Sequence, residues 1–391
     1  MIEREAPVSR ALVIHPASRD TMGRAEARLE EATGLAEALD LEVGDAFILP
    51  MRKIDAGRYF GRGKLEELRD LLVELEANVA VIDAALSPVQ QRNLEKSLNV
   101  KVIDRTGLIL EIFGQRARTK EGVLQVELAR LAYERSRLVR TWTHLERQRG
   151  GGGFLAGPGE TQIETDRRLL SEKMSKLRRQ LDEVRRTRSL HRAKRQDVPF
   201  PTVALVGYTN AGKSTLFNKL TGAGVFAEDM PFATLDPTVR AVDLPGGTRI
   251  LLSDTVGFIT DLPTELIAAF RATLEEVREA DLLVHVIDSS APDRDGRIED
   301  VEDVLDAIEA GPAHEQAMLE AWNKADQLDE GRREELQHLQ HRHAMLVSAV
   351  TGDHSRSITS NGRVQVMVFR SGRNRPAREP KRPRDPPATA G

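Results

Sequence analysis

The chain has 391 residues, of which 40% are hydrophobic and 30% charged, with 4% aromatic and no cysteine. That apolar share can build buried cores, and the length fits two or three domains. The missing cysteines exclude disulfide scaffolds, thiolate metal sites and thiol nucleophiles, and 57 basic against 61 acidic residues exclude any global preference for nucleic acid.

No apolar stretch is long enough for a membrane span, so no membrane span and a cytoplasmic protein are expected. The first region, 1–118, alternates short apolar runs with helical spacing. Ala11–Ile14, Phe47–Leu49, Val79–Asp83 and Val100–Asp104 read as strands, and Arg24–Ala38 and Lys64–Leu75 as helices. Strands alternating with helices predict a parallel α/β sheet. Asp83 and Asp104 close two of these strands, placed either to bind a ligand at the sheet's carboxyl edge or to cap the next turn.

Region 119–197 is helical. Leu124, Leu128 and Leu131, then Leu170, Met174, Leu177, Leu181 and Val184, repeat at heptad spacing and predict an antiparallel helical hairpin. The glycine-rich run 150–160 is expected to form a flexible, non-helical tip. From 140 to 196 there are fifteen Lys and Arg against seven acids, a local excess of eight positive charges. Such a face is either solvated or set to meet RNA phosphates.

Region 198–352 carries the chemistry. The strand Val203–Val206 runs into Gly207-Tyr208-Thr209-Asn210-Ala211-Gly212-Lys213-Ser214, a G-x-x-x-x-G-K-[ST] loop, followed by a helical segment. Such a loop cradles phosphates with its N–H groups, Lys213 reaches the β- and γ-phosphates, and Ser214 can ligate Mg2+. Ile250–Ser253 then ends in Asp254-Thr255-Val256-Gly257. Asp254 can hold Mg2+ through water, and the Gly257 N–H can serve a γ-phosphate. Asn323-Lys324-Ala325-Asp326 follows, with Ser348-Ala349 closing over the base. The Asp326 carboxylate matches the paired N1–H and N2–H donors of guanine, which adenine lacks. Where many GTPases place a water-orienting glutamine, this chain has Phe258. Region 353–391 is Arg-, Pro- and Ser-rich and reads as a basic, disordered tail.

These motifs resemble the translation-factor-like class of P-loop GTPases. Phe232-Ala233-Thr234-Leu235-Asp236-Pro237-Thr238, Ser87–Glu95, Asp104–Leu110, Gly157–Thr161 and Asp166-Arg167-Arg168 are similar to the HflX family in particular. The resemblance implies an N-terminal α/β domain, a hairpin and a GTPase domain in one α/β protein. It implies GTP and GDP binding, Mg2+, slow hydrolysis raised by a partner, and association with the large ribosomal subunit and its RNA, splitting stalled or idle ribosomes under stress. Residues 232–236 become the first switch, and Thr234 its Mg2+ ligand, with Thr238 the competitor on chemistry alone. Lys213, Thr234 and Gly257 are the expected catalytic set. A monomer is expected, with peripheral membrane association as a second setting. Family members reported to use ATP through the N-terminal domain have no counterpart phosphate loop here. The family's closing helix after Gly352 is replaced by the basic tail, which predicts an exposed apolar sheet edge and a stability loss of several kcal/mol. Glu320 sits inside an otherwise apolar strand. The alternative reading is a ribosome- or RNA-binding module with an incomplete G domain; a third, an RNA-modification or assembly factor, suits the hairpin less.

Overall fold

The computed structural model describes residues 9–148, 158–196, 200–222, 231–244, 247–261, 274–339 and 344–352. The first unit is a four-stranded, fully parallel sheet in the order β2-β1-β3-β4. Its strands are β1 (Arg10–Ala17), β2 (Glu42–Pro50), β3 (Val79–Ile82) and β4 (Lys101–Asp104). Helices α1 (Ala25–Glu37), α2 (Arg62–Glu74), α3 (Pro88–Leu98) and α4 (Arg105–Arg116) cover it.

Period-two alternation divides the strand side chains between two cores. Leu12, Ile14, Ala80, Ile82 and Val102 meet Leu65, Leu68 and Leu72 of α2 and Leu94 and Leu98 of α3. Ala11, Val13, Val79, Val81 and Ile103 meet Leu35 of α1 and Leu108, Ile109 and Ile112 of α4. Burial on both faces is what a parallel sheet requires. Ser87 and Gln90 form a reciprocal capping box at the start of α3, with Pro88 at its first position. The outer core does not stop at this unit. Its cluster continues through Val126 and Ala129 into Val206, Phe232, Leu235 and Phe258.

The hairpin consists of α5 (Lys120–Gln148) and α6 (Pro158–Gln196). All eight seam residues expected from the heptad spacing pack in one cluster. The expected tip is shortened, because Pro158, Gly159 and Glu160 are helical. Proline fits the first helical turn, where its missing N–H costs nothing. Residues 150–157 lie outside the described residues, as does the tail 353–391. Arg167, Arg168, Arg178, Arg179 and Arg186 on α6 are exposed.

The last unit is a six-stranded sheet in the order β10-β9-β8-β5-β7-β6, parallel except for β6 against β7. Its strands are β5 (Thr202–Val206), β6 (Thr238–Asp243), β7 (Arg249–Asp254), β8 (Leu282–Asp288), β9 (Ala317–Asn323) and β10 (Ala344–Leu346). Helix α7 (Lys213–Thr221) lies against one face. Leu282, Val284 and Val347 on that face are only partly buried, and Leu220 and Val350 beside it are 51% and 71% exposed. Glu320 is accommodated: at half-burial it accepts from the Trp322 indole N–H at 2.9 Å. Among the described residues, no helix is long and apolar enough to cross a membrane.

Candidate nucleotide and metal site

The loop 207–214 joins the carboxyl end of central strand β5 to the start of α7, where backbone N–H groups and the helix dipole converge. Gly212 turns the chain into α7 at φ +89°, and a Cβ there would lie 2.2 Å from Asn323 Nδ2. Only glycine serves both the conformation and the approach. The Lys213 ammonium is buried and donates to the carbonyls of Gly207 (3.0 Å) and Tyr208 (2.7 Å). Burial lowers its pKa to about 8, against the opposing pull of Asp254. Beneath it, burial and the Lys213 charge push His285 of β8 down to about 4.

Three oxygen groups meet at the loop's end. Ser214 Oγ lies 2.7 Å from both Thr234 Oγ1 and Asp254 Oδ2, and Thr234 Oγ1 donates to the same carboxylate oxygen at 3.0 Å. Thr238, the competitor, instead opens β6 opposite Asp254. The other carboxylate oxygen, Asp254 Oδ1, is buried without a hydrogen-bond partner. Burial raises the Asp254 pKa, while Ser214, Lys213 and Thr234 hold it back. An all-oxygen set with an orphaned buried carboxylate oxygen fits a hard divalent cation such as Mg2+.

Thr209, Asn210, Gly212, Lys213, Ser214, Phe232, Ala233, Thr234, Thr255 and Gly257 line one cleft. Thr215, absent from the expected set, lines it too; its place directly after Ser214 in the first turn of α7 was the available signal. The segment just after Asp254–Gly257 is laced to the loop 207–214 by backbone. Thr209 N–H donates to Phe258 O at 2.7 Å, and Phe258 N–H to Gly207 O at 3.1 Å. The Phe258 side chain is 1% exposed within the core.

The base-side motifs are tied to this cleft. Asn323 Nδ2 donates to Ala211 O, and its Oδ1 accepts from Ala349 N–H, both at 2.9 Å. Ala325 N–H donates to Val347 O, and Ser348 Oγ donates to Asp326 Oδ1 at 2.5 Å. Lys324, at φ 62°, pairs with Asp288 at 2.9 Å.

Several expected residues turn elsewhere. Leu235 and Val256 pack into the core, and Thr255 Oγ1 donates to Leu205 O. The Tyr208 hydroxyl donates to Glu31 of α1, accepts from Thr260 N–H at 3.0 Å and lies 2.6 Å from Thr260 Oγ1. Asp236 faces the base of the hairpin. Of the two strand-end aspartates, Asp104 caps α4, accepting from Gly107 N–H at 2.9 Å. Asp83 does something else. It pairs with His15 (2.7 Å) and Arg105 (2.6 Å), and Arg105 also reaches Glu31 and the Thr260 carbonyl (2.8 Å). Burial would raise the Asp83 carboxyl, but Arg105, His15 and Arg28 hold it at about 2.

Three family models match the chain. They are described as GTP-binding GTPase N-terminal over residues 26–114, GTP-binding GTPase Middle Region over 116–195 and 50S ribosome-binding GTPase over 202–324. A Magnetococcus marinus protein named GTPase HflX is 56% identical over 330 residues, 84% of this chain and 76% of its own length. The Escherichia coli protein of that name is 50% identical over 303 residues, 77% of this chain and 70% of its own. A solved GTP-binding protein from Sulfolobus solfataricus, in complex with GDP, aligns at 25% identity and a TM-score of 0.45 over 88% of this chain and 94% of that one.

Proposed function

The chain belongs to the HflX family of GTPases, and from that membership we propose that it is a Mg2+-dependent enzyme whose GTP cycle acts on the large ribosomal subunit. GTP binding and hydrolysis come with the family. The observation that carries the mechanism is the convergence of Ser214, Thr234 and the half-satisfied Asp254 beside Lys213 in one cleft.

Ser214 and Thr234 would hold Mg2+ directly and Asp254 through water, and the bound ion would neutralise charge on the β- and γ-phosphates. Lys213 exchanges its two loop carbonyls for phosphate oxygens. The N–H groups of 209–214 cradle the phosphates, and Gly257 offers its N–H to the γ-phosphate. Asp326, steadied by Ser348, reads the guanine edge, while Asn323 locks the base and phosphate halves together. Phe258 has no group with which to orient the attacking water, so intrinsic hydrolysis is slow, and a partner that orders the segment around Phe258, the second switch, accelerates it.

The ribosome is the partner we infer. The family model over 202–324 is described as ribosome-binding, and α6 offers an exposed arginine row suited to phosphate. We further propose the division 1–118, 119–197 and 198–352 into N-terminal, hairpin and GTPase parts, a monomeric state and a cytoplasmic setting. The test is GTP turnover by the purified chain with and without large ribosomal subunits, with Lys213→Ala as control. Stimulated turnover abolished by Lys213→Ala is expected; turnover indifferent to the subunit would defeat the ribosomal assignment.

A further inference from the structure

The segment between the phosphate loop and β6 faces two ways. Thr234 points to Ser214 and Asp254, and two residues later Asp236 points to the hairpin. Asp236 Oδ2 accepts from the backbone N–H groups of Arg118 and Thr119, both at 2.9 Å, and Oδ1 accepts from the Thr119 hydroxyl at 2.5 Å. Thr119 itself caps α5, taking the Gly122 N–H at 3.0 Å. A carboxylate at the amides leading into a helix is favoured by charge-assisted hydrogen bonds and by the helix dipole. The fit is close: a Cβ on Gly122 would come within 2.5 Å of Asp236 Oδ1. The N-terminal unit grips the same segment, with Phe113 of α4 meeting the buried Phe232 edge-on at 4.5 Å and Pro231 lying over Gly34 of α1.

We propose that Asp236 is a positioning residue that, by holding the start of the hairpin helix α5, fixes Thr234 where it completes the Mg2+ site. This rests on the reading of Ser214 and Thr234 as metal ligands. Ordering a free switch segment costs conformational entropy, and here that ordering is met within the chain before nucleotide arrives. Linkage makes the coupling reciprocal. If docking of α5 on Asp236 favours Thr234's ligating position, occupation of the metal site by Mg2+ with GTP tightens that docking. A ligand that pulls on the hairpin therefore changes the Mg2+ requirement of the GTPase part.

The experiment uses the full chain and a fluorescent, non-hydrolysable GTP analogue titrated at increasing Mg2+, with Mg2+-free GDP binding as reference. Asp236→Ala and, from the opposite side of the contact, Gly122→Ala should each raise the Mg2+ concentration for half-maximal binding about tenfold. GDP affinity should stay within about twofold, because GDP makes no demand on Thr234. Asp236→Asn keeps an acceptor and loses the charge, so it should fall between. The backbone amides of 232–236 should exchange faster in Asp236→Ala. Thr234→Ala separates the two ideas: an unchanged Mg2+ requirement there sinks the metal-ligand reading itself. A raised requirement in Thr234→Ala, with normal behaviour in both Asp236→Ala and Gly122→Ala, overturns the positioning role alone. Equal losses of GDP and analogue affinity in Asp236→Ala would reduce the residue to a structural part and overturn it as well.

Discussion

Asp326 accepts from the Ser348 hydroxyl at 2.5 Å, and in the proposed function its carboxylate accepts two guanine donors at once. Asp326→Asn replaces one acceptor with a donor facing the N2 amino group, leaving a donor–donor mismatch worth about 1–3 kcal/mol. GTP affinity should fall about 5- to 150-fold, with relative gain for xanthine nucleotides, whose edge presents the complementary acceptor; competition between GTP and XTP measures it. Phe258 is different in kind. It is a core side chain, and Phe258→Ala should cost about 3–5 kcal/mol of stability while slow GTP turnover persists in the protein that remains folded. Loss of all stimulated turnover with nucleotide affinity intact would instead give Phe258 a direct part in the reaction.

At the scale of elements, the two helices of the hairpin are joined by their seam, while α5 also buries Val126 and Ala129 against the N-terminal unit. Met174 is 1% exposed in that seam, so Met174→Ala should lower hairpin stability by about 2–5 kcal/mol. Hydrogen exchange along α5 and α6 should rise while GDP binding holds. The seam was legible in the sequence because heptad spacing is local. So were the phosphate loop and the base motifs, each a short run fixed by its own backbone needs. The contacts between units were not. Tyr208 reads as part of a phosphate loop, yet its hydroxyl bonds Glu31, 177 positions away, and Arg105 meets a carbonyl 155 positions away. No period or spacing encodes such pairs. Pro158–Glu160 misled for the opposite reason: neighbouring glycines suggested a tip, whereas proline at a first turn starts a helix.

Across the whole molecule, the buried cluster of Asp83, His15, Arg28, Arg105 and Glu31, beside Tyr59, joins the N-terminal sheet to the second switch. Asp83 is ordinarily near 3.8 and is held at about 2 here. Its depressed pKa means the stabilisation is present above the unfolded value and is lost as pH falls from about 4 toward 2. Asp83→Asn should destabilise the chain by about 3 kcal/mol at neutral pH. The gap from the parent should close as pH drops through that window, as read by denaturant melts. The location carries its own consequence. In the order β2-β1-β3-β4, the crevice outside β1 and β3 is where open α/β sheets receive a small ligand. Here the residues at that crevice hold a peptide instead: Arg105 binds the Thr260 carbonyl and Arg28 reaches Asp261 at 2.5 Å. The loop is the sheet's tethered guest. Withdrawing it obliges water to enter and solvate several paired charges together, so the guest is either seated or out, and the seat behaves as a binary contact rather than a sliding one.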